Sequence, residues 1–199
     1  SSAMFFDYDR DGRVDLLLVN VGRYTTAATA AAGDNARYYV AFEDAFAGHL
    51  QPARAERSIL YRNEGGNRFV DVSKLTGLMD LSWTGDASPV DVNDDGFTDV
   101  YLSNMQGDDH YYENARGKGY ARKTRQLFPL TSWGAMGVKV FDFDNDGKLD
   151  IFVTDMHSDM SDMIGPEREK TKSTMLWPAS VVGSGKTSTW GNSFFLKEG

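Results

Sequence analysis

Apolar residues fall in short runs broken by acidic, glycine-bearing turns, and no long stretch of the chain repeats at helical spacing. Three of these runs align without gaps: DYDRDGRVDLLLVN from Asp7, DVNDDGFTDVYLSN from Asp91 and DFDNDGKLDIFVTD from Asp142. Their shared core is D-x-[DN]-x-D-G-x-x-D followed by an apolar segment. The starts are 84 and 51 residues apart, so one repeat unit is clean and one carries a long insertion. Each acidic turn predicts a hairpin. A first strand leads in (residues 3–6, 87–90 and 137–141) and a second leads out (14–19, 98–102 and 149–153). Glycine at the sixth loop position permits the positive φ of a sharp turn.

Two further elements recur. SILYRNEGG from Ser58, HYYENARG from His110 and NSFFLKEG from Asn192 predict a third strand carrying an aromatic or apolar pair. NRFVDVS from Asn67 and GYARKTRQ from Gly119 predict a polar fourth strand. A lead-in, SWTGDASPV from Ser82 and SWGAMGVKVF from Ser132, precedes two of the hairpins. Four short strands per repeat of this length are the pattern of a β-propeller blade. The predicted fold is therefore all-β, a propeller segment of about three blades. They fall at about 1–76 with an insertion at 21–57, at about 82–126, and at about 132–199 with an insertion at 155–191. The third unit is expected to stop at its third strand. A closed propeller holds about 4–8 blades, and open edges are a liability. The chain is thus expected to be part of a larger protein, or to be completed by further blades or a partner chain.

The acidic turns carry the candidate chemistry. Calcium takes 6–8 oxygen ligands, and alternate residues of a tight loop can converge on one centre. Positions 1, 3 and 5 are Asp7, Asp9 and Asp11; Asp91, Asn93 and Asp95; Asp142, Asp144 and Asp146. Position 7 offers a backbone carbonyl (Arg13, Phe97, Lys148), and position 9 closes each site with Asp15, Asp99 and Asp150. So many carboxylates in nine residues repel one another without a cation, so three Ca²⁺ sites are expected. An EF-hand is excluded because position 12, which must be a bidentate Glu, is Leu18, Leu102 or Val153. The residues after each loop also predict a strand, not a helix.

These hairpins, with the L-Y-x-N-x-G strand at Leu60 and the F-x-D-V strand at Phe69, resemble FG-GAP/VCBS repeats. Together with VTDMHSDM at residues 153–160 they are most similar to the ASPIC/UnbV, cartilage-acidic-protein-like subgroup. The resemblance covers most of residues 1–20, 58–154 and 192–199. It implies an integrin-α-like propeller with calcium in the strand one–two hairpins, an extracellular, periplasmic or cell-surface location, and adhesion or carbohydrate-related roles. Asn93 departs from the acidic pattern and lowers the charge of the second loop.

Composition narrows the functional classes. Lys and Arg number 21 against 29 Asp and Glu, a net charge of −8, which disfavours nucleic acid and anionic membranes as partners. No apolar run is long enough to span a bilayer as a helix, no signal peptide is expected within the chain, and the absence of Cys removes disulfide and thiolate chemistry. Gly183–Lys186–Thr187 lacks the first glycine of a phosphate loop, that position being Ser180. The His are scattered, and no Ser-His-Asp order stands out. Met156, His157 and Met160 read as packing filler rather than as a soft-metal site. Trp83 and Trp133 read as core. Trp177 and Trp190 are the better candidates for a sugar platform.

The expected function is therefore a non-catalytic, calcium-stabilised binding or adhesion module. The alternative is the propeller portion of a polysaccharide-active enzyme such as a lyase, with His157, Asp155 and Arg168 as its scattered candidates. The insertions 21–57 and 155–191 are 37 residues each, against 5 at residues 105–109. Long loops without repeat character tend to carry function. They are expected on the face opposite the calcium hairpins, where they would contact a protein or a carbohydrate, mainly through residues 38–50 and 156–163.

Overall fold

The computed structural model describes residues 1–21, 56–105, 107–156, 188–189 and 191–198. The fold is all-β: among the described residues there are three antiparallel sheets, one short parallel pair and two single-turn helices. The first sheet runs β1 (Ser2–Phe6), β2 (Asp15–Val19), β3 (Ile59–Asn63) and β4 (Phe69–Asp71), each strand paired to the next. The helix α1 (Ser73–Thr76) follows. The second sheet repeats this with β5 (Thr84–Val90), β6 (Asp99–Asn104), β7 (His110–Asn114) and β8 (Tyr120–Arg122), followed by α2 (Thr124–Leu127). A short β9 (Thr131–Ser132) leads to β10 (Ala135–Phe141) and β11 (Asp150–Asp155). β12 (Ser188–Thr189) pairs in parallel with β9, and β13 (Ser193–Phe195) with β11. Among the described residues the third sheet has three strands, in the order β10-β11-β13.

The three sheets are blades, and their packing explains the burial pattern strand by strand. β6 is buried at every position because blade two lies between the other two. β2 alternates between buried and half-buried, because blade one is covered on one face only. One core cluster joins Phe6, Leu17, Val19 and Leu60 of blade one to Val100, Leu102 and Tyr112 of blade two. A second joins Val90, Tyr101 and Tyr111 of blade two to Val138, Ile151 and Val153 of blade three. Trp83 and Trp133 are both 1% exposed, as expected of packing residues. The first strands of blades two and three begin earlier than the apolar pattern marks, at Thr84 and Ala135. Each lead-in is accommodated by a β-bulge, Thr84/Asp86 and Ala135/Gly137. No helix among the described residues is long and apolar enough to cross a membrane.

The second-strand to third-strand necks share one device. In blade one Asn20 Nδ2 donates to the Arg57 carbonyl (3.1 Å), and in blade two Asn104 Nδ2 donates to the Asp108 carbonyl (2.6 Å). The Asn104 amide also donates to Asp109 Oδ1 (2.8 Å), and in blade three the Asp155 amide donates to Asn192 Oδ1 (2.9 Å). The strand ends are therefore tied together whether 5 or 37 residues intervene. Most of the two insertions, including the anticipated helical stretch 38–50, the Met-rich stretch 156–163 beyond Met156, Arg168, Trp177 and Trp190, lies outside the described residues.

Leu17 is fully buried between blades, whereas Phe5, on the opposite face of the same sheet, is 63% exposed. Leu17→Ala is expected to cost about 2–5 kcal/mol, and Phe5→Ala less than about 1 kcal/mol in this chain. Urea denaturation of the two variants checks the ranking.

Candidate metal loops

Each acidic turn is built by its own carboxylates. The position 1 side chain bridges the turn. Asp7 accepts the amides of Asp11 (3.1 Å) and Gly12 (2.9 Å), Asp91 those of Asp95 (3.2 Å) and Gly96 (2.8 Å), and Asp142 those of Asp146 (3.1 Å) and Gly147 (2.9 Å). Position 5 caps position 7: the amides of Arg13, Phe97 and Lys148 donate to Asp11, Asp95 and Asp146 at 2.8–2.9 Å. The glycine at position 6 has φ of 86°, 82° and 86°. Position 4 is also left-handed, in Arg10, Asp94 and Asn145, which the repeat pattern does not reveal. Asp and Asn tolerate this conformation better than most residues; Arg10 carries the greater strain.

Position 9 does more than close a loop. Asp15, Asp99 and Asp150 are buried. One oxygen of each accepts the amide of position 2 (Tyr8 3.0 Å, Val92 3.1 Å, Phe143 2.9 Å). The other accepts an amide at the end of the third strand or just beyond it (Asn63 2.8 Å, Asn114 2.7 Å, Lys197 2.9 Å). The carboxylate therefore ties the loop to two strands. Burial pushes Asp15 above the usual carboxylate range, against the pull of the Asn63 and Tyr8 amides. Asp99 is likewise pushed up by burial. In Asp150 the Lys197 and Phe143 amides hold the carboxyl low.

The structure brings the predicted ligands together unequally. Asp7, Asp9 and Asp15 place one oxygen each within 4.8 Å of one another, and so do Asp142, Asp144 and Asp146. Asp11 is drawn into an ion pair with Arg13. In the second loop Asn93 Oδ1 accepts the Asp95 amide (3.1 Å), and Arg116 approaches Asp95 at 3.9 Å. Two observations fit a hard cation. Asp9 Oδ1 is buried with no hydrogen-bond partner. Burial, and then the charge of Asp11, push the Asp9 carboxyl above its usual range, which a bound divalent ion would reverse. Asp7, Asp9 and Asp15 would hold it in the first loop, and Asp142, Asp144 and Asp146 in the third. Asp94 points outward, is 70% exposed and pairs with Lys197.

A second polar cluster has no counterpart in the sequence reading. Asp80 is 1% exposed. It accepts the Ser82 amide (2.8 Å) and the Tyr112 hydroxyl (3.0 Å), and lies 2.5 Å from His110 Nδ1. Ser82 Oγ is 3.0 Å from the same His110 nitrogen. A hydrolytic relay needs the acid and the nucleophile on opposite ring nitrogens; here both meet Nδ1, so the cluster is a lock between the linker and β7. Asp80 and Ser82 lie 30 and 28 residues from His110 and outside the acidic turns, so no spacing rule could find the cluster.

The class defined by this geometry is a repeat scaffold of antiparallel blades, each closed by an aspartate-built turn. Residues 91–153 match the FG-GAP-like repeat family, from the second acidic turn into β11. This supports the FG-GAP/VCBS repeat family. Comparison with curated proteins gave no match.

Burial alone would raise Asp80, but the bonds from His110, Ser82 and Tyr112 win and set it below its unfolded value. Its stabilisation is therefore present above the unfolded carboxylate pKa of about 3.9 and lost as pH falls through the lower folded value. Asp80→Ala should cost about 3 kcal/mol at pH 7, with the gap from the unsubstituted chain narrowing as pH falls below about 4. Thermal melts across that window test the sign.

Proposed function

We propose that this chain is a calcium-stabilised, non-catalytic binding or adhesion module that works outside the cytoplasm. The observation that carries the reading is the buried, unpartnered Asp9 Oδ1 among three converging carboxylates, in a turn repeated three times along the chain. FG-GAP repeats occur in extracellular adhesion and binding modules, and the match over residues 91–153 favours that setting, where calcium is abundant. Assignment to the ASPIC/UnbV subgroup rests on residues 153–160 and is part of the same proposal.

The calcium loops serve as scaffold. Three divalent ions would bring the net charge of −8 to about −2 and relieve the repulsion within each turn. Recognition is assigned to the other end of the blades. β2 and β11 begin at the acidic turn and end at the necks of Asn20 and Asp155. The insertions therefore leave and rejoin at the end of the strand opposite the calcium turn, a placement that suits a protein- or carbohydrate-binding face.

Sites of about 10 μM affinity in millimolar calcium would each add about 2.7 kcal/mol if the unfolded chain does not bind. The melting temperature should rise with calcium and fall with chelator. Asp9→Ala and Asp95→Ala should each remove part of the calcium-dependent increment, whereas Asp94→Ala should change stability by less than about 0.5 kcal/mol. Calorimetry with and without chelator is decisive: a melting temperature that calcium does not move refutes the reading.

A further inference from the structure

Each of the first two acidic turns receives a side chain from the blade that follows it. Asn114 and Lys197 hold the same place in blades two and three, because the amide of each donates to the position 9 aspartate of its own blade. Both side chains reach back to the preceding blade. Asn114 Nδ2 donates to the Tyr8 carbonyl in the first turn (2.9 Å). Lys197 Nζ donates to the Asp91 carbonyl in the second turn (3.4 Å) and to the Asp94 carboxylate. The contact is repeated, but a neutral amide makes it at the first turn and an ammonium at the second.

A further cation reaches the second turn from the other side. Arg10, at position 4 of the first turn, lays its guanidinium over the Phe97 ring, 5.3 Å from the centroid. A Cβ built on Gly96 would lie 3.0 Å from Arg10 Nη1, so the guanidinium rests on the backbone of the second turn. The second turn is therefore flanked by Arg10 of blade one and Lys197 of blade three. The Lys197 side chain is only 16% exposed, so water and salt screen its charge less than they would a free surface lysine.

The ligand sets differ in the same direction. In the first turn Asp7, Asp9 and Asp15 converge, and Asp9 Oδ1 is buried without a hydrogen-bond partner. In the second turn position 3 is the neutral Asn93, and its Oδ1 already accepts the Asp95 amide (3.1 Å). A divalent ion entering there meets one carboxylate fewer and an ammonium bonded to the position 1 carbonyl. Both differences disfavour a cation.

We infer that the cations of the two neighbouring blades partly stand in for calcium at the second turn, so that it fills at a higher calcium concentration than the first. The inference rests on the calcium reading proposed above and ranks two of its sites. Both turns fill in millimolar calcium, and the order shows below it. At intermediate calcium the first turn is loaded while Lys197 still holds blade three to the second.

The test titrates the whole chain, freed of metal by chelator and dialysis, with calcium chloride alone. The amides of Gly12 and Gly96 each donate to the position 1 aspartate of their turn, so their NMR signals report the filling of each turn separately. The Gly12 midpoint is expected at a calcium concentration about tenfold or more below that of Gly96. Lys197→Met keeps the main-chain bond to Asp150 and removes the ammonium. It should lower the Gly96 midpoint about threefold or more and leave that of Gly12 in place, whereas Lys197→Arg should keep the original order. Coincident midpoints, Gly96 responding first, or a Gly96 midpoint unmoved by Lys197→Met would each overturn the ranking and leave the calcium reading standing. If neither glycine responds to calcium, both fall.

Discussion

The fold hangs on one buried carboxylate per blade. Asp15, Asp99 and Asp150 each satisfy two backbone amides, one in the acidic turn and one where the third strand ends or has just ended. A buried carboxylate is costly to leave unpaired. Two short amide bonds offset that cost and leave one arrangement of turn and strands that satisfies it. In blade two the Tyr111 hydroxyl adds a third bond at 2.6 Å. Everything outward of this point, including the register of strands two and three and the position of the fourth strand, is set from it. The same residue also borders the candidate cation site, so scaffold and site share an atom group and cannot vary independently.

Much of this was legible in the residues. The apolar run after each acidic turn foretold the strands, and Gly12, Gly96 and Gly147 foretold the turns, because only a few backbone shapes fit nine residues that fold back sharply. The burial of Trp83 and Trp133 was also readable from their size and place. Other features were not. Whether an aspartate in the turn faces a shared centre or an arginine is a rotamer choice, and Asp11 turning to Arg13 leaves no trace in spacing. The Asp80–His110–Tyr112 lock joins a linker to a strand some thirty residues away, so it exists only once blades one and two are packed. The bulges at Thr84 and Ala135 likewise answer to the curvature of a blade rather than to local propensity.

The difference between the blades is one of covering. Repeat positions 11 and 13 point to the next blade: Leu17 and Val19 are buried against blade two, and Tyr101 and Ser103 are buried in blade two, whereas Phe152 is half-exposed and Thr154 exposed in blade three. Phe141, Phe143 and Phe194 add to that face, with ring separations of 4.8–6.3 Å. On the far side of blade one Phe5, Leu16, Leu18 and Tyr61 are similarly uncovered or half-covered. Each blade has two apolar faces, and among the described residues the middle blade has both covered while the outer two each leave one exposed.

The neck between the second and third strands carries a consequence for how such chains diversify. Its bonds pinch the backbone shut at Asn20 with Arg57 and at Asn104 with Asp108, so the strand ends are fixed independently of the length of chain between them. Lengthening a loop from 5 to 37 residues is about three doublings, or about 1.8 kcal/mol of closure entropy, a small penalty beside the burial of a blade core. The short middle neck, between Met105 and Asp108, is therefore a grafting point. A foreign loop or a small domain spliced there would leave the blade from the same strand end as the two natural insertions, giving a three-position display scaffold.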